Sequence, residues 1–147
     1  MVRLIFIMVV LFTSANFAAA EVTLTDVYGN NTSIASLKGK WIFINYWATW
    51  CQPCVDEINQ LNQFYHKNKK NVAVFAVNFD FVPLEEQIQL IKKLHIEYPS
   101  LPIDPGAALN LEPISGVPVT FVFNPQGQLA HTLYGGQTSE TFEQALH

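Results

Sequence analysis

Two cysteines, Cys51 and Cys54, are the only thiols in the 147-residue chain, and two residues separate them. A disulfide that closes so short a loop removes little entropy from the unfolded chain, so it stabilises little as a structural cross-link. A zinc site normally needs four ligands, and the sequence offers neither a second cysteine pair nor a suitably spaced histidine pair. The pair therefore predicts a redox-active dithiol, which exchanges its thiols with a disulfide in another molecule.

The residues around the two cysteines favour different roles for them. Cys51 lies where a predicted strand ends and a helix begins, so backbone N–H groups and the helix dipole favour its thiolate. We expect Cys51 to be the exposed attacking thiol, and Cys54, one turn into the helix, to be the shielded thiol that resolves the mixed disulfide. The indole ring of Trp50, directly before Cys51, is expected to form part of the docking surface for a partner.

An apolar run immediately before the cysteines predicts the strand that positions them. Residues 41–47 are nearly all aromatic or β-branched, as a strand buried on both faces requires. Residues 52–67 follow with apolar side chains at helical spacing, and Pro53 suits a first helical turn, where its missing N–H has no partner.

The rest of the chain continues this alternation of strands and helices. The main patterns predict a strand at 72–77, a helix that opens at Pro83, strands at 117–123 and 128–133, and a terminal helix at 139–146. Shorter patterns predict an N-terminal hairpin from 21–28 and 32–34, an edge strand at 101–103 and helical turns at 107–111. This order predicts one α/β domain over residues 21–147, with a central mixed sheet flanked by helices.

The first twenty residues have the layout of a secretory signal. Arg3 gives a short positive start, residues 4–12 are an unbroken apolar run, and the segment ends in Ala18-Ala19-Ala20. Nine apolar residues are too few to cross roughly 30 Å of hydrocarbon as a helix, which disfavours the alternative of an uncleaved membrane anchor. We therefore predict cleavage after Ala20 and a protein that is periplasmic or otherwise exported.

The composition argues against several classes of partner. The formal net charge is −4, and the eight basic residues are scattered rather than gathered into a stripe that would bind phosphates. We therefore expect no nucleic acid partner, and the chemistry of a dithiol requires no cofactor and no metal. We expect the protein to act as a monomer on disulfide-bearing protein substrates.

Two stretches carry a resemblance to a known family. Residues 45–54, with Trp-x-x-Trp-Cys-x-Pro-Cys at their end, and residues 116–121, which begin Gly-Val-Pro, resemble the thioredoxin superfamily. More narrowly, the chain resembles the exported TlpA/ResA/DsbE-like thiol–disulfide oxidoreductases. The resemblance implies a thioredoxin-like fold with a helical insertion before the strand that follows a cis proline. It also implies that Val117–Pro118 is this cis peptide, lying against the dithiol, and that the backbone of Val117 pairs with an extended substrate segment.

Glu57 is the candidate for proton exchange with the dithiol. It follows Cys54 by three residues, on the same side of the predicted helix, and related reductases place a carboxylate at this offset. Thioredoxin itself uses a buried aspartate on the preceding strand, where this chain has Asn45, which does not titrate. The alternative is that Glu57 is a solvated carboxylate that only favours the start of the helix.

The direction of electron flow and the client protein rest on the resemblance. A spacer without histidine, here Gln52, is more typical of reductants in this family, and the branch implies a membrane-embedded electron donor and apocytochrome c as substrate. Two positions depart from the family's pattern: Val119 follows the proline where that branch commonly has an acidic residue, and Ile58 follows Glu57 where reductases with this carboxylate often have a proline.

Two other functions remain as alternatives. The first is a disulfide-forming oxidant, which would use the same dithiol in the opposite direction. The second is a copper-handling or partner-binding module that uses the two sulfurs as soft ligands. A copper site would be expected to recruit a third ligand such as a nearby His or Met, and the only methionines, Met1 and Met8, lie in the predicted leader.

The remaining aromatic residues near these segments are interpreted as core. Trp47 closes the apolar strand run and is expected to pack in the interior. Phe79, Phe81 and Tyr98 would also suit a groove, but core packing is the expectation for all three.

Overall fold

A five-stranded mixed sheet lies at the centre of the computed structural model, which describes residues 21–147, so the predicted leader lies outside the described residues. In chain order the elements are β1 (Thr23–Thr25), β2 (Asn31–Ser33), a 3-10 helix (Ile34–Leu37), β3 (Trp41–Trp47), α1 (Gln52–Asn68), β4 (Val72–Asn78), α2 (Leu84–Lys93), β5 (Ser100–Leu101), β6 (Val119–Phe123), β7 (Leu129–Tyr134) and α3 (Ser139–Gln144). None of the helices in this range has the length and apolar character that a membrane span requires.

The order of strands in the sheet brings three loops to one edge. The order is β5-β4-β3-β6-β7, with β3, β4 and β5 parallel and β6 antiparallel to β3. Trp47 pairs with Asn78 at the end of β4, and Tyr46 pairs with Val119 at the start of β6. The loop after β3 therefore lies between the loop after β4 on one side and the segment before β6 on the other.

Each face of the sheet has its own apolar core. On one face the rings of Phe43, Phe64 and Phe142 pack edge to face or tilted, with centroids 4.9 to 6.0 Å apart, so β3, α1 and α3 share this core. The other face carries Ile44 and Phe121, which are buried beneath the N-terminal hairpin, the 3-10 helix and residues 102–118. Aromatic packing of this kind adds to the gain from burying the rings.

One hydrogen bond behind the sheet connects β3 to the segment that leads into β6. The hydroxyl of Tyr46 donates to Asp104 Oδ1 at 2.5 Å, and the same oxygen accepts the backbone N–H of Gly106 at 2.8 Å. Because Tyr46 is buried, the segment that runs to Pro118 is held against the second face of the sheet near its start.

The structure confirms the predicted fold class and the N-terminal hairpin, and it changes several boundaries. The helical insertion is α2, whereas residues 107–111 form turns rather than a helix. The edge strand ends at Leu101 because Pro102 has no N–H for the ladder. Strand β6 begins at Val119 rather than residue 117, since Pro118 likewise has no N–H to donate.

Candidate active site

The two cysteines form a disulfide at the start of α1. Their sulfurs are bonded, the two Cα atoms are 5.3 Å apart, and Cys51 is the N-cap residue of the helix. Cys51 Sγ accepts the backbone N–H of Cys54 at 3.2 Å. When the disulfide is reduced, this N–H and the helix dipole favour the thiolate of Cys51 over that of Cys54.

Cys51 is buried, so the expectation that it is the exposed thiol is wrong. Cys51 is 5% exposed and Cys54 is 2% exposed, so the attacking candidate is only slightly more accessible than its partner. The cover on one side is the backbone of Val117, whose carbonyl oxygen lies 3.6 Å from Cys51 Sγ. The oxidised sulfur has no proton to donate, so this is a contact, and the reduced thiol can turn it into a hydrogen bond.

The Val117–Pro118 peptide is cis, as the resemblance implied, and it lies against the dithiol. The carbonyl of Pro118 accepts the backbone N–H of Gly135 at 2.9 Å, so the turn after β7 supports it. Residues 115–119 with Tyr134 and Gly135 line a cleft of about 220 Å³ beside Cys51. A larger cavity, of about 320 Å³, lies at the opposite end of the sheet, between the 3-10 helix and the β6–β7 turn, away from the cysteines.

Glu57 is buried, with 2% of its surface exposed, so the alternative of a solvated carboxylate is wrong. Its Oε1 accepts the side-chain N–H of Asn45 at 2.8 Å, and its Oε2 accepts the backbone N–H of Gln137 at 3.0 Å. Burial raises the pKa of Glu57 from 4.5 to about 7, because desolvation of the charge outweighs the two hydrogen bonds that favour it. A carboxyl group with this pKa can both accept and release a proton near neutral pH.

Two further side chains in this region have surroundings that the sequence did not predict. Asn45 donates to Glu57 and also to Thr120 Oγ1, the latter at 2.9 Å. The signal that could have indicated these contacts is a polar residue inside the apolar run 41–47. The hydroxyl of Tyr98 is buried without a hydrogen-bond partner. Burial, and then the charge of Glu57, raise the pKa of Tyr98 above its usual range.

The aromatic residues divide between core and surface. Trp47 and Tyr98 are buried, as predicted, and Phe79 is partly buried against the core. Trp50 is exposed and directly precedes Cys51, and its place on a docking surface stays a prediction. Phe81 is exposed, so the expectation that it packs in the core is wrong. Its backbone φ of +57° turns the chain at this point and carries the ring outward.

The raised pKa of Glu57 predicts a pH-dependent stability. The folded protein holds this proton more tightly than the unfolded chain, so the stabilisation is complete below pH 4.5 and is lost as pH rises through about 7. A shift of this size corresponds to about 3 kcal/mol of unfolding free energy. Urea unfolding of the oxidised protein between pH 4.5 and 8 measures this loss, and Glu57→Gln should remove most of it.

The exposed Glu86 on α2 provides the matched control. Glu86→Gln is expected to keep the wild-type dependence of stability on pH. An equal slope in wild type and Glu57→Gln would contradict the assignment of the titrating group.

Comparison with known proteins agrees with this geometry. A family model described as the AhpC/TSA family matches residues 16–132. The thiol-disulfide oxidoreductase ResA of Bacillus cereus is 30% identical over 127 residues, which cover 85% of this chain and 72% of the relative. ResA of Bacillus subtilis is 31% identical over 124 residues, covering 82% and 67%.

Solved structures of similar proteins share the fold. A DsbF homologue from Corynebacterium diphtheriae matches with a TM-score of 0.74 at 25% identity, covering 86% of this chain and 82% of that one. A thiol:disulfide interchange protein of the thioredoxin family from Chlorobium tepidum matches with a TM-score of 0.71 at 28% identity, covering 86% and 90%. Since the family model spans most of the sequence and these relatives share both fold and dithiol chemistry, the chain belongs to the AhpC/TSA family and is a thioredoxin-fold thiol–disulfide oxidoreductase.

Proposed function

We propose that this protein is an exported reductant, which opens disulfides in partner proteins through Cys51 and Cys54. The observation that carries the proposal is the place of Cys51 Sγ at the N-terminus of α1, where it accepts the N–H of Cys54, with the buried Glu57 one turn further along the helix. The uncharged Gln52 supports the reducing direction, because it does not add to the stability of the thiolate.

The reaction follows from these positions. The Cys51 thiolate attacks one sulfur of the partner disulfide, and the other partner sulfur leaves as a thiolate that takes up a proton. Cys54 then gives its proton to the Glu57 carboxylate and attacks Cys51 Sγ, which expels the second partner thiolate. That thiolate also takes up a proton, so the partner gains two electrons and two protons, and the enzyme ends with the Cys51–Cys54 disulfide.

The substrate is expected to bind where the cis peptide meets the dithiol. An extended segment of the partner, paired with the backbone of Val117 by strand addition, would bring its disulfide within reach of Cys51. Pro118 shapes this contact because it offers no N–H of its own. The exposed ring of Trp50 lies beside Cys51 and supports a place for it on the same docking surface.

Location and partners form part of the proposal. The layout of residues 1–20 supports cleavage after Ala20 and export to the periplasm or an equivalent compartment. A membrane-embedded thiol reductase would then reduce the monomeric enzyme after each turnover. Apocytochrome c is the client that the resemblance to the DsbE-like branch supports, although Val119 and Ile58 depart from the pattern of related reductases.

The two cysteines should respond differently to substitution. Cys51→Ser removes the attacking thiolate and is expected to abolish reduction of insulin disulfides. Cys54→Ser keeps the attack but removes the resolving thiol, so it should accumulate mixed disulfides that non-reducing gel electrophoresis detects. Equal residual activity and equal trapping in both variants would refute the assigned roles.

Glu57 should control the pH dependence of turnover. The single-turnover rate of insulin reduction is expected to show an inflection near pH 7 in the wild type, where Glu57 titrates. Glu57→Gln should lose this inflection and slow the resolving step by about 100-fold, a usual size for positioned proton transfer. Glu86→Gln is the control and should keep it, and an unchanged profile in Glu57→Gln would exclude proton transfer through this carboxyl.

The reduction potential of the Cys51–Cys54 couple tests the direction. We expect a value nearer to that of thioredoxin, about −270 mV, than to that of a strong oxidant, about −120 mV. Equilibration of the purified protein, without residues 1–20, in glutathione or dithiothreitol buffers gives this value. A potential near −120 mV would assign the protein to disulfide formation instead.

A further inference from the structure

Three large aromatic side chains are exposed around the dithiol. Trp50 is 67% exposed, Tyr134 is 69% exposed and Phe81 is 79% exposed, although rings of this size usually gain by burial. Single exposed apolar residues are common on protein surfaces, whereas a group of them beside an active site marks a surface that another molecule covers.

The sheet order places these rings on both sides of Cys51. Phe81 follows β4, which neighbours β3 on one side, and Tyr134 is paired with Val119 beyond the other side of β3. Trp50 lies between them, in the loop after β3. A segment that crosses Cys51 would therefore meet the cleft lined by Tyr134 on one side and the loop that carries Phe81 on the other, with Trp50 between them.

One hydrogen bond joins the loop after β4, which carries Phe81, to the loop after β3, which leads to Cys51. Two more order the loop after β4 itself. Asp80 Oδ2 accepts the backbone N–H of Thr49 at 2.9 Å and the side-chain N–H of Asn78 at 3.0 Å. The backbone N–H of Asp80 donates to Asn78 Oδ1 at 2.9 Å. Phe81 is thus one residue away from a direct bond to the loop that carries Cys51, and its ring lies 5.2 Å from that of Phe79.

The backbone at Phe81 adds a second reason to assign a function to the ring. Its φ of +57° lies in the left-handed region, which is unfavourable for a bulky side chain and favours Gly or Asn. A ring that is 79% exposed gives little stability in return. Strained positions of this kind cluster at binding and catalytic sites, where the residue is kept for what it contacts.

The chemistry of the surrounding surface indicates what the rings bind. Residues 49–53, 81–83, 115–118 and 134–137 contain no charged side chain. The carboxylate of Asp80 lies nearby, but both of its hydrogen bonds here come from within the protein. Apart from Asp80, the residues around the three exposed rings carry no charge, so this surface favours an apolar ligand over a charged one.

We infer that Phe81 is a specificity-determining residue which, with Trp50 and Tyr134, binds apolar side chains on both sides of the cysteine in an extended segment of the partner protein. The inference rests on the proposed function, since it names the chemistry of the segment that the dithiol reduces. Residues with aliphatic or aromatic side chains next to the partner cysteine are favoured, and charged or strongly polar neighbours are disfavoured.

Two synthetic peptides test this preference. Both carry the same cysteine pair as a disulfide, with leucine and phenylalanine flanking the cysteines in one and serine and glutamine in the other. The measurement is the second-order rate constant of single-turnover reduction by the reduced protein, followed by tryptophan fluorescence. The wild type is expected to reduce the apolar peptide about tenfold faster, a ratio equivalent to about 1.4 kcal/mol.

Substitutions at Phe81 should change this ratio. Phe81→Ala is expected to lower it to about threefold or less, whereas Phe81→Leu, which keeps an apolar side chain, should retain most of it. Ile103 is the matched control, because it is 78% exposed and lines a pocket with residues of the N-terminal hairpin rather than with residues of the redox site. Ile103→Ala should leave both rate constants unchanged.

The outcomes separate the inference from the proposed function. A wild type that reduces both peptides at equal rates, or a ratio that Phe81→Ala and Ile103→Ala change alike, would overturn the inference and leave the proposed function intact. A wild type that reduces neither peptide, nor glutathione disulfide, would overturn the proposed function and the inference with it.

The strain at residue 81 gives an independent measurement. Asn tolerates the left-handed region, so Phe81→Asn should unfold at a higher urea concentration than Phe81→Ala while also losing the preference for the apolar peptide. A lower midpoint for Phe81→Asn than for Phe81→Ala would contradict backbone strain at residue 81, and a midpoint well below that of the wild type in both variants would show that the ring is kept for stability rather than for binding.

Discussion

The buried carboxyl of Glu57 is the interaction on which the arrangement of the site depends. It accepts hydrogen bonds from Asn45 on β3 and from the backbone of Gln137 just before α3, and Asn45 in turn bonds to Thr120 on β6. One side chain of α1 is therefore connected to two strands and to the start of the terminal helix. Because an unpaired polar group in this interior would cost free energy, these elements have one favourable relative position.

That position fixes the two halves of the redox site. Helix α1 carries Cys54 and begins at Cys51, while β6 begins directly after Pro118. The bonds from Glu57 through Asn45 to Thr120 join these two elements beneath the dithiol, and the bond from Tyr46 to Asp104 restrains the segment leading to Pro118 on the opposite face. The distance between Cys51 Sγ and the cis peptide is thus set by contacts on both faces of the sheet.

The sequence was sufficient for the framework and for the residues with distinctive chemistry. A strand that is buried on both faces is continuously apolar, and the run 41–47 therefore predicted β3. A helix that is buried on one face has apolar residues every three or four positions, and this spacing after Cys54 predicted α1. The Cys-x-Pro-Cys and Gly-Val-Pro segments predicted the dithiol and its neighbouring proline.

Features that depend on tertiary contacts could not be predicted in the same way. The low exposure of Cys51 results from the backbone of Val117, which is 66 residues away in the chain. The outward position of Phe81 depends on the left-handed backbone conformation at that residue, while an aromatic residue beside an apolar strand ordinarily indicates core. Residues 107–111 have a helix-like pattern, but they lie in an irregular segment that is held by Asp104 and packs its apolar side chains on the sheet.

The nearly complete burial of Cys51 affects which folding state of a client protein can be reduced. Because only 5% of the surface of Cys51 is exposed, an extended chain lying along the cleft beside Val117 can approach it more easily than a folded domain can. A cystine inside a folded domain is surrounded by its own packed neighbours and presents no such chain. We therefore expect this opening to favour nascent or unfolded polypeptides over folded domains as clients.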